Sequence, residues 1–152
     1  MADTQAESSP LIVVGIDGSE SSKDALRWAV AQAKATGATI ECLAAWHWPT
    51  SWGAAVPLPD GFDPASDAGA MIDQTVAPIV ALHPEVTVVS RVAEGQAALA
   101  LIERSHDADL LVVGSRGHGE FSGMLLGSVS QHCAANAFCP VLVFRGHHES
   151  EV

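Results

Sequence analysis

Positive charge is scarce in this sequence: 7 lysines and arginines stand against 18 aspartates and glutamates, a formal net charge of −11. A phosphate-rich polymer meets a repulsive field over most of such a surface, which argues against a nucleic-acid partner. The same field opposes a free nucleotide polyphosphate, which needs a local arginine and a divalent cation such as Mg²⁺ beside it. Long apolar runs are missing too. No stretch reaches the roughly 18 apolar residues of a membrane span. The opening MADTQAESSP has neither the basic nor the apolar region of a signal peptide. A cytoplasmic protein with no membrane partner is expected. Cysteine is limited to Cys42, Cys133 and Cys139, an odd set without C-x-x-C spacing that reads as reduced structural thiols. G-x-S-x-G, zinc-ligand spacing and kinase-type signatures are all missing, so no dedicated catalytic apparatus is expected.

What the sequence does contain is a globular composition, 48% hydrophobic and 16% charged, in a length that suits one domain. Residues 1–9 read as a disordered polar tail and 147–152 as a second tail, with His147 and His148 loose rather than metal-binding; this leaves 10–146 as the folded unit. LIVVGI at 11–16 is a β-branched and leucine run, the pattern of a strand covered on both faces. It ends at Asp17, Gly18 turns the chain, and Ser19 caps a helix whose Leu26, Ala29, Val30 and Ala33 fall at helical spacing before Gly37. A strand at 38–46 comes next, followed by a loop broken by prolines and glycines that carries Trp48 and Trp52. Helical spacing returns over 65–82, where Pro78 should kink or shorten the end. A strand at 85–92, a helix at 96–105, a strand at 109–113, a helix at 128–137 and a strand at 140–145 complete the alternation. Five strands and four helices joined by right-handed crossovers predict an α/β domain, with a mostly parallel sheet and helices on both faces.

Between the fourth strand and the last helix lies GSRGHGEFSGMLLGSVS, Gly114 to Ser130, with Arg116 as its only lysine or arginine. Glycines let backbone N–H groups approach a ligand, and a helix start directs unpaired N–H groups and partial positive charge outward, so this layout suits an anion. Gly114, Gly117, Gly127 and Ser128 form a G-x2-G-x9-G-[ST] spacing. It is neither a P-loop, which needs a lysine before its Ser/Thr, nor the dinucleotide fingerprint, which follows a first strand. Each residue also has a plainer reading. Glycine clusters mark ordinary connectors, Asp17 before Gly and Ser is a common turn residue, and Arg116 and His118 suit a solvated loop.

The spacing, the opening LIVVGIDGSESSKDALRWA, GSVS and the closing CPVLVFR together resemble the universal stress protein family, specifically its ATP-binding branch, from about Pro10 to Arg145. The resemblance implies strand order 3-2-1-4-5, which sets strands 1 and 4 side by side where ligands bind off the carboxyl ends. It also implies that N–H groups of Gly117, His118, Gly127 and Ser128 hold phosphates and that Ser130 adds a hydroxyl. By the same resemblance Val113 and Gly114 lie under the adenosine, the Ala45 backbone reads adenine, and Asp17 contacts nucleotide or metal. Gly15, Arg116 and Val129 complete the expected set. The ligands so implied are ATP and Mg²⁺. The function implied is nucleotide-dependent regulation in a stress response, with at most weak ATP hydrolysis. Two alternatives stand beside it, an ATP-using hydrolase or transferase and a cyclic-AMP receptor. Adenine stacking on Trp46, Trp48 or Trp52, with His47 beside them, is the lesser reading of those residues, the greater being packing of the loop onto the next helix or a partner. In order 3-2-1-4-5 the last strand is an edge, so Val141, Leu142, Val143 and Phe144 are expected to pair with a second copy in a homodimer.

Overall fold

The computed structural model describes residues 9–48, 59–116 and 126–145. Its elements are β1 (Leu11–Gly15), α1 (Glu20–Thr36), β2 (Thr39–Trp46), α2 (Pro64–Val80), β3 (Val88–Glu94), α3 (Ala97–Arg104), β4 (Leu110–Gly114), α4 (Ser128–Asn136) and β5 (Val141–Phe144). The strands form one sheet in order β3-β2-β1-β4-β5, and every pairing is parallel. The expected α/β architecture and strand order are what the chain adopts.

Strand periodicity decides how the two faces fill. Ile12, Val14, Ile40, Cys42 and Ala44 join Leu26 and Val30 of α1 and Ile72 and Val76 of α2 in one core. Alternate residues Val13, Leu43, Leu111 and Val113 point the other way and meet Leu101 of α3 and Cys133 of α4. Fully buried side chains such as Leu26 and Leu111 each contribute about 2 kcal/mol of hydrophobic stabilisation.

Helix ends follow their cap residues. The Ser19 hydroxyl oxygen accepts from the Ser22 N–H at 3.2 Å, and Gly37, at φ 74°, closes α1 by donating its N–H to the Ala33 carbonyl. Asp63 caps α2 in the same way through the Ser66 N–H, with Pro64 in the first turn. Pro78 sits inside α2, which ends at Val80 rather than at 82. The third strand starts at Val88, later than the expected residue 85. Pro84 offers no donor, and the Val86 N–H is spent on the His83 carbonyl, so this stretch turns before it pairs.

One charge lies where periodicity predicts none. Glu41, in the middle of β2, is 2% exposed. Arg104 of α3 grips it bidentately, Nε to Oε2 at 2.6 Å and Nη2 to Oε1 at 3.0 Å, and Arg91 of β3 pairs with it from the other side. The Glu41 carboxylate raises the Arg104 pKa above its ordinary value. This clasp ties β2, β3 and α3 together.

Candidate functional site

A crevice of about 490 Å³ opens off the carboxyl ends of β1 and β4, lined among others by Gly15, Ile16, Asp17, Leu43, Leu101, Val113, Gly114, Arg116, Gly127, Val129 and Ser130. Neighbouring strands β1 and β4 send their chains to opposite faces of the sheet here, and the gap between the departing connections is the natural ligand crevice of such sheets.

Backbone shapes this crevice more than side chains do. Gly114 does not have a positive φ; its reason is space. A Cβ there would lie 2.3 Å from the Ser21 hydroxyl oxygen and 2.8 Å from the Ser21 backbone carbon, because the first turn of α1 is seated on the end of β4. Gly127 likewise has an ordinary φ of −70° and serves as the N-cap of α4 without a side-chain cap, unlike Ser19 and Asp63 on the other face. The start of α4 therefore faces the crevice with its dipole and no competing side-chain oxygen at the cap position. Gly127 itself departs from expectation in one respect. Its N–H donates to the Ser115 carbonyl at 2.7 Å instead of facing an anion.

Ser130 is 2% exposed, and its hydroxyl lies 2.9 Å from the Gly127 carbonyl and 3.3 Å from that of Ser115, so it braces the same loop base. Asp17 is exposed at the mouth. Its Oδ1 accepts both the N–H and the hydroxyl of Ser19, so the turn role coexists with a place on the crevice wall. Arg116 is the cation of the lining, with its N–H 3.4 Å from the Ser21 hydroxyl oxygen.

The other expected residues divide. Ser128 is the first residue of α4, exposed and adjacent to the lining. Ala45 is half-buried on β2, paired in register with Ala93, and is not part of the lining. Gly117, His118 and Trp52 lie outside the described residues. Trp46 packs edge-on to Trp48 at 5.7 Å, and Trp48 leans on Phe62 at 6.4 Å, so these rings pack on one another. Ala97 and Leu101 of α3 are wall residues that sequence reasoning missed, because their apolar spacing reads as core. Among the described residues no three His, Cys, Asp or Glu side chains cluster as a metal site.

The sequence model of the Universal stress protein family matches residues 11–145. A universal stress protein of Mycolicibacterium smegmatis is 37% identical over 135 residues, covering 88% of this chain and 45% of that protein. The chain spans about half the length of the curated relatives it matches. Among solved structures, a universal stress protein in complex with cAMP aligns with a TM-score of 0.68 at 29% identity, over 91% of this chain and 98% of that one. UspA from Lactobacillus plantarum aligns with a TM-score of 0.72 at 18% identity, over 90% and 97%.

Proposed function

The chain belongs to the universal stress protein family, and on that premise we propose that its crevice binds an adenine nucleotide, ATP with Mg²⁺ first, as a regulatory rather than a catalytic event. The observation that carries this reading is the meeting of Gly114, Arg116 and the start of α4 at the end of two adjacent parallel strands. Phosphate sits against the α4 terminus, where the N–H groups of Ser128, Val129 and Ser130 and the helix dipole favour negative charge. Arg116 adds the one full positive charge of the lining among the described residues. The apolar wall of Leu43, Leu101 and Val113 takes the base and sugar by exclusion of water.

In a protein of net charge −11 a triphosphate carries its own cation, so ATP affinity depends on Mg²⁺, with Asp17 as the one carboxylate of the lining among the described residues. When bound, Mg²⁺ would supply Lewis-acid polarisation of phosphate beside Asp17, and without a dedicated base this would support at most weak hydrolysis. Nucleotide occupancy alters the surface that a partner protein reads in the cytoplasm. The second reading is a cyclic-AMP receptor, favoured by the cAMP complex of the 29% identical protein. The two are separated by purifying the chain from its native host without denaturation and identifying the co-purifying nucleotide by mass spectrometry. Recovery of ATP supports the first reading and recovery of cyclic AMP the second, whereas a nucleotide-free preparation that also rejects both in titration overturns the site.

The same reading makes the protein a homodimer through Val141, Leu142, Val143 and Phe144. Support comes from the position of β5 at the end of the sheet and from its four half-buried apolar side chains. Val141 and Val143 pack on one core and Leu142 and Phe144 on the other, so the pairing surface is the backbone edge of the strand. Light scattering at micromolar concentration reads the outcome directly: a dimer is expected, and a monomer overturns it.

A further inference from the structure

Helix α3 divides two hollows. The crevice lies along one flank, where Ala97 and Leu101 form part of its wall, and a trough lined among others by Arg91, Ala93, Ala100 and Arg104 lies along the other, beside β3. Leu43 of β2 lines both. One wall of the crevice is therefore α3 itself, and that wall is only as fixed as the helix is.

The polar anchors of α3 sit at the end away from the crevice. At the crevice end the helix follows Gly95, whose φ of 122° suits glycine, and Gln96 supplies no side-chain cap. At the other end Arg104 holds both oxygens of the buried Glu41 carboxylate, at 2.6 and 3.0 Å, and the Ser105 hydroxyl oxygen accepts the Phe138 N–H at 2.8 Å. The first of these ties α3 to the sheet, the second only to the chain beyond α4. Arg104 follows Leu101 by three residues, so the two side chains leave neighbouring turns on one face of the helix. Leu101 is 3% exposed and is seated on bare backbone, since a Cβ on Gly15 would lie 3.0 Å from Leu101 Cδ1. A gap of about 1 Å at such contacts forfeits up to about half of their attraction. A buried ion pair adds little net stability, whereas a two-point grip admits one placement of the elements that it joins.

We propose that Arg104 is a positioning residue of the nucleotide site: its grip on Glu41 fixes α3 against β2 and so holds Leu101 where the base and sugar are received. This role rests on adenine-nucleotide binding in the crevice. Arg91 supplies the internal contrast. It pairs with the same carboxylate from β3, so its removal takes one partner from Glu41 and leaves α3 clasped.

The test is calorimetric titration of ATP and of AMP into the full-length wild type and three variants. Arg104→Ala weakens ATP by about tenfold, the effect of losing a preformed wall. It weakens AMP by the same factor, because the wall meets base and sugar rather than the outer phosphates. Arg91→Ala stays within about twofold of wild type for both ligands. Arg104→Lys keeps the charge without the two-point fork and loses about threefold, which preserves the test if the alanine variant does not fold. Hydrogen exchange reads the helix without ligand: Arg104→Ala speeds exchange of the α3 amides from Leu101 to Arg104, and Arg91→Ala leaves them as in wild type. Equal weakening by Arg104→Ala and Arg91→Ala, a loss confined to ATP, or unchanged exchange of α3 in Arg104→Ala overturns the positioning role alone. Wild type that binds neither nucleotide overturns the nucleotide reading, and this role with it.

Discussion

The crevice beside β1 and β4 and the trough beside β3 flank the same helix, α3, yet they are built in opposite ways. The crevice is made by omission. Gly15, Gly114 and Gly127 bring backbone close, and α4 begins without a side-chain cap. The trough is made by side chains, a buried carboxylate and two arginines that brace a strand to a helix. A hollow of the first kind suits a ligand that brings charge to backbone donors. The contrast also implies that single substitutions fail differently on the two sides: added volume breaks the crevice, and removed charge breaks the trough.

The largest expected effect is on the crevice side. Gly114→Ala puts a methyl group within 2.3 Å of the Ser21 hydroxyl oxygen and 2.8 Å of the Ser21 backbone, and the backbone cannot swing aside as a side-chain tip does. Urea unfolding should show a loss of about 3 kcal/mol. A loss below about 1 kcal/mol would mean that α1 is not seated on β4 as described.

On the trough side the asymmetry of the clasp is the sharper test. Arg104→Ala leaves Glu41 buried with Arg91 alone and should cost about 2 kcal/mol, while Glu41→Leu removes the buried charge itself and should stay within about 1 kcal/mol of wild type. Equal losses from both substitutions would show that the pair, rather than the burial of one charge, carries the stability.

The smallest effect concerns the cores behind the two hollows. Burial pushes the Cys42 thiol up to about 12 and the Cys133 thiol up to about 11, from an ordinary 9.0. Since the folded values are raised, stability is fully present below pH 9.0 and falls as pH rises toward the folded values, where the unfolded chain ionises first. The fall of unfolding free energy above that pH should flatten in Cys42→Ala relative to wild type. An unchanged slope would mean that Cys42 is more accessible in the folded state than its burial indicates.

Much of this was legible before any coordinates, and the omissions have physical causes. Runs such as LIVVG and LLVV, and the caps Ser19 and Gly37, announce themselves through local chemistry. The crevice was legible because glycine spacing survives in the one-dimensional order of residues. Glu41 was not legible, since what makes it tolerable is Arg91 and Arg104, far along the chain and brought near only by the register of β2 with β3 and the seat of α3. At Gly114 the sequence suggests a cradle, and the geometry adds a steric demand from Ser21 that no spacing reveals. The start of β3 slipped because Pro84 and Val86 make a turn that β-branched composition alone conceals.

Calorimetric titration of ATP in Mg²⁺ into the wild-type chain and into Gly127→Glu tests the central claim most directly. The substitution adds volume and negative charge at the cap of α4, where the backbone φ of −70° lets any residue fold. The account predicts one nucleotide per chain for wild type and no measurable heat for a folded Gly127→Glu. Unchanged ATP affinity in that variant, or wild type that takes up neither ATP nor cyclic AMP, would contradict it.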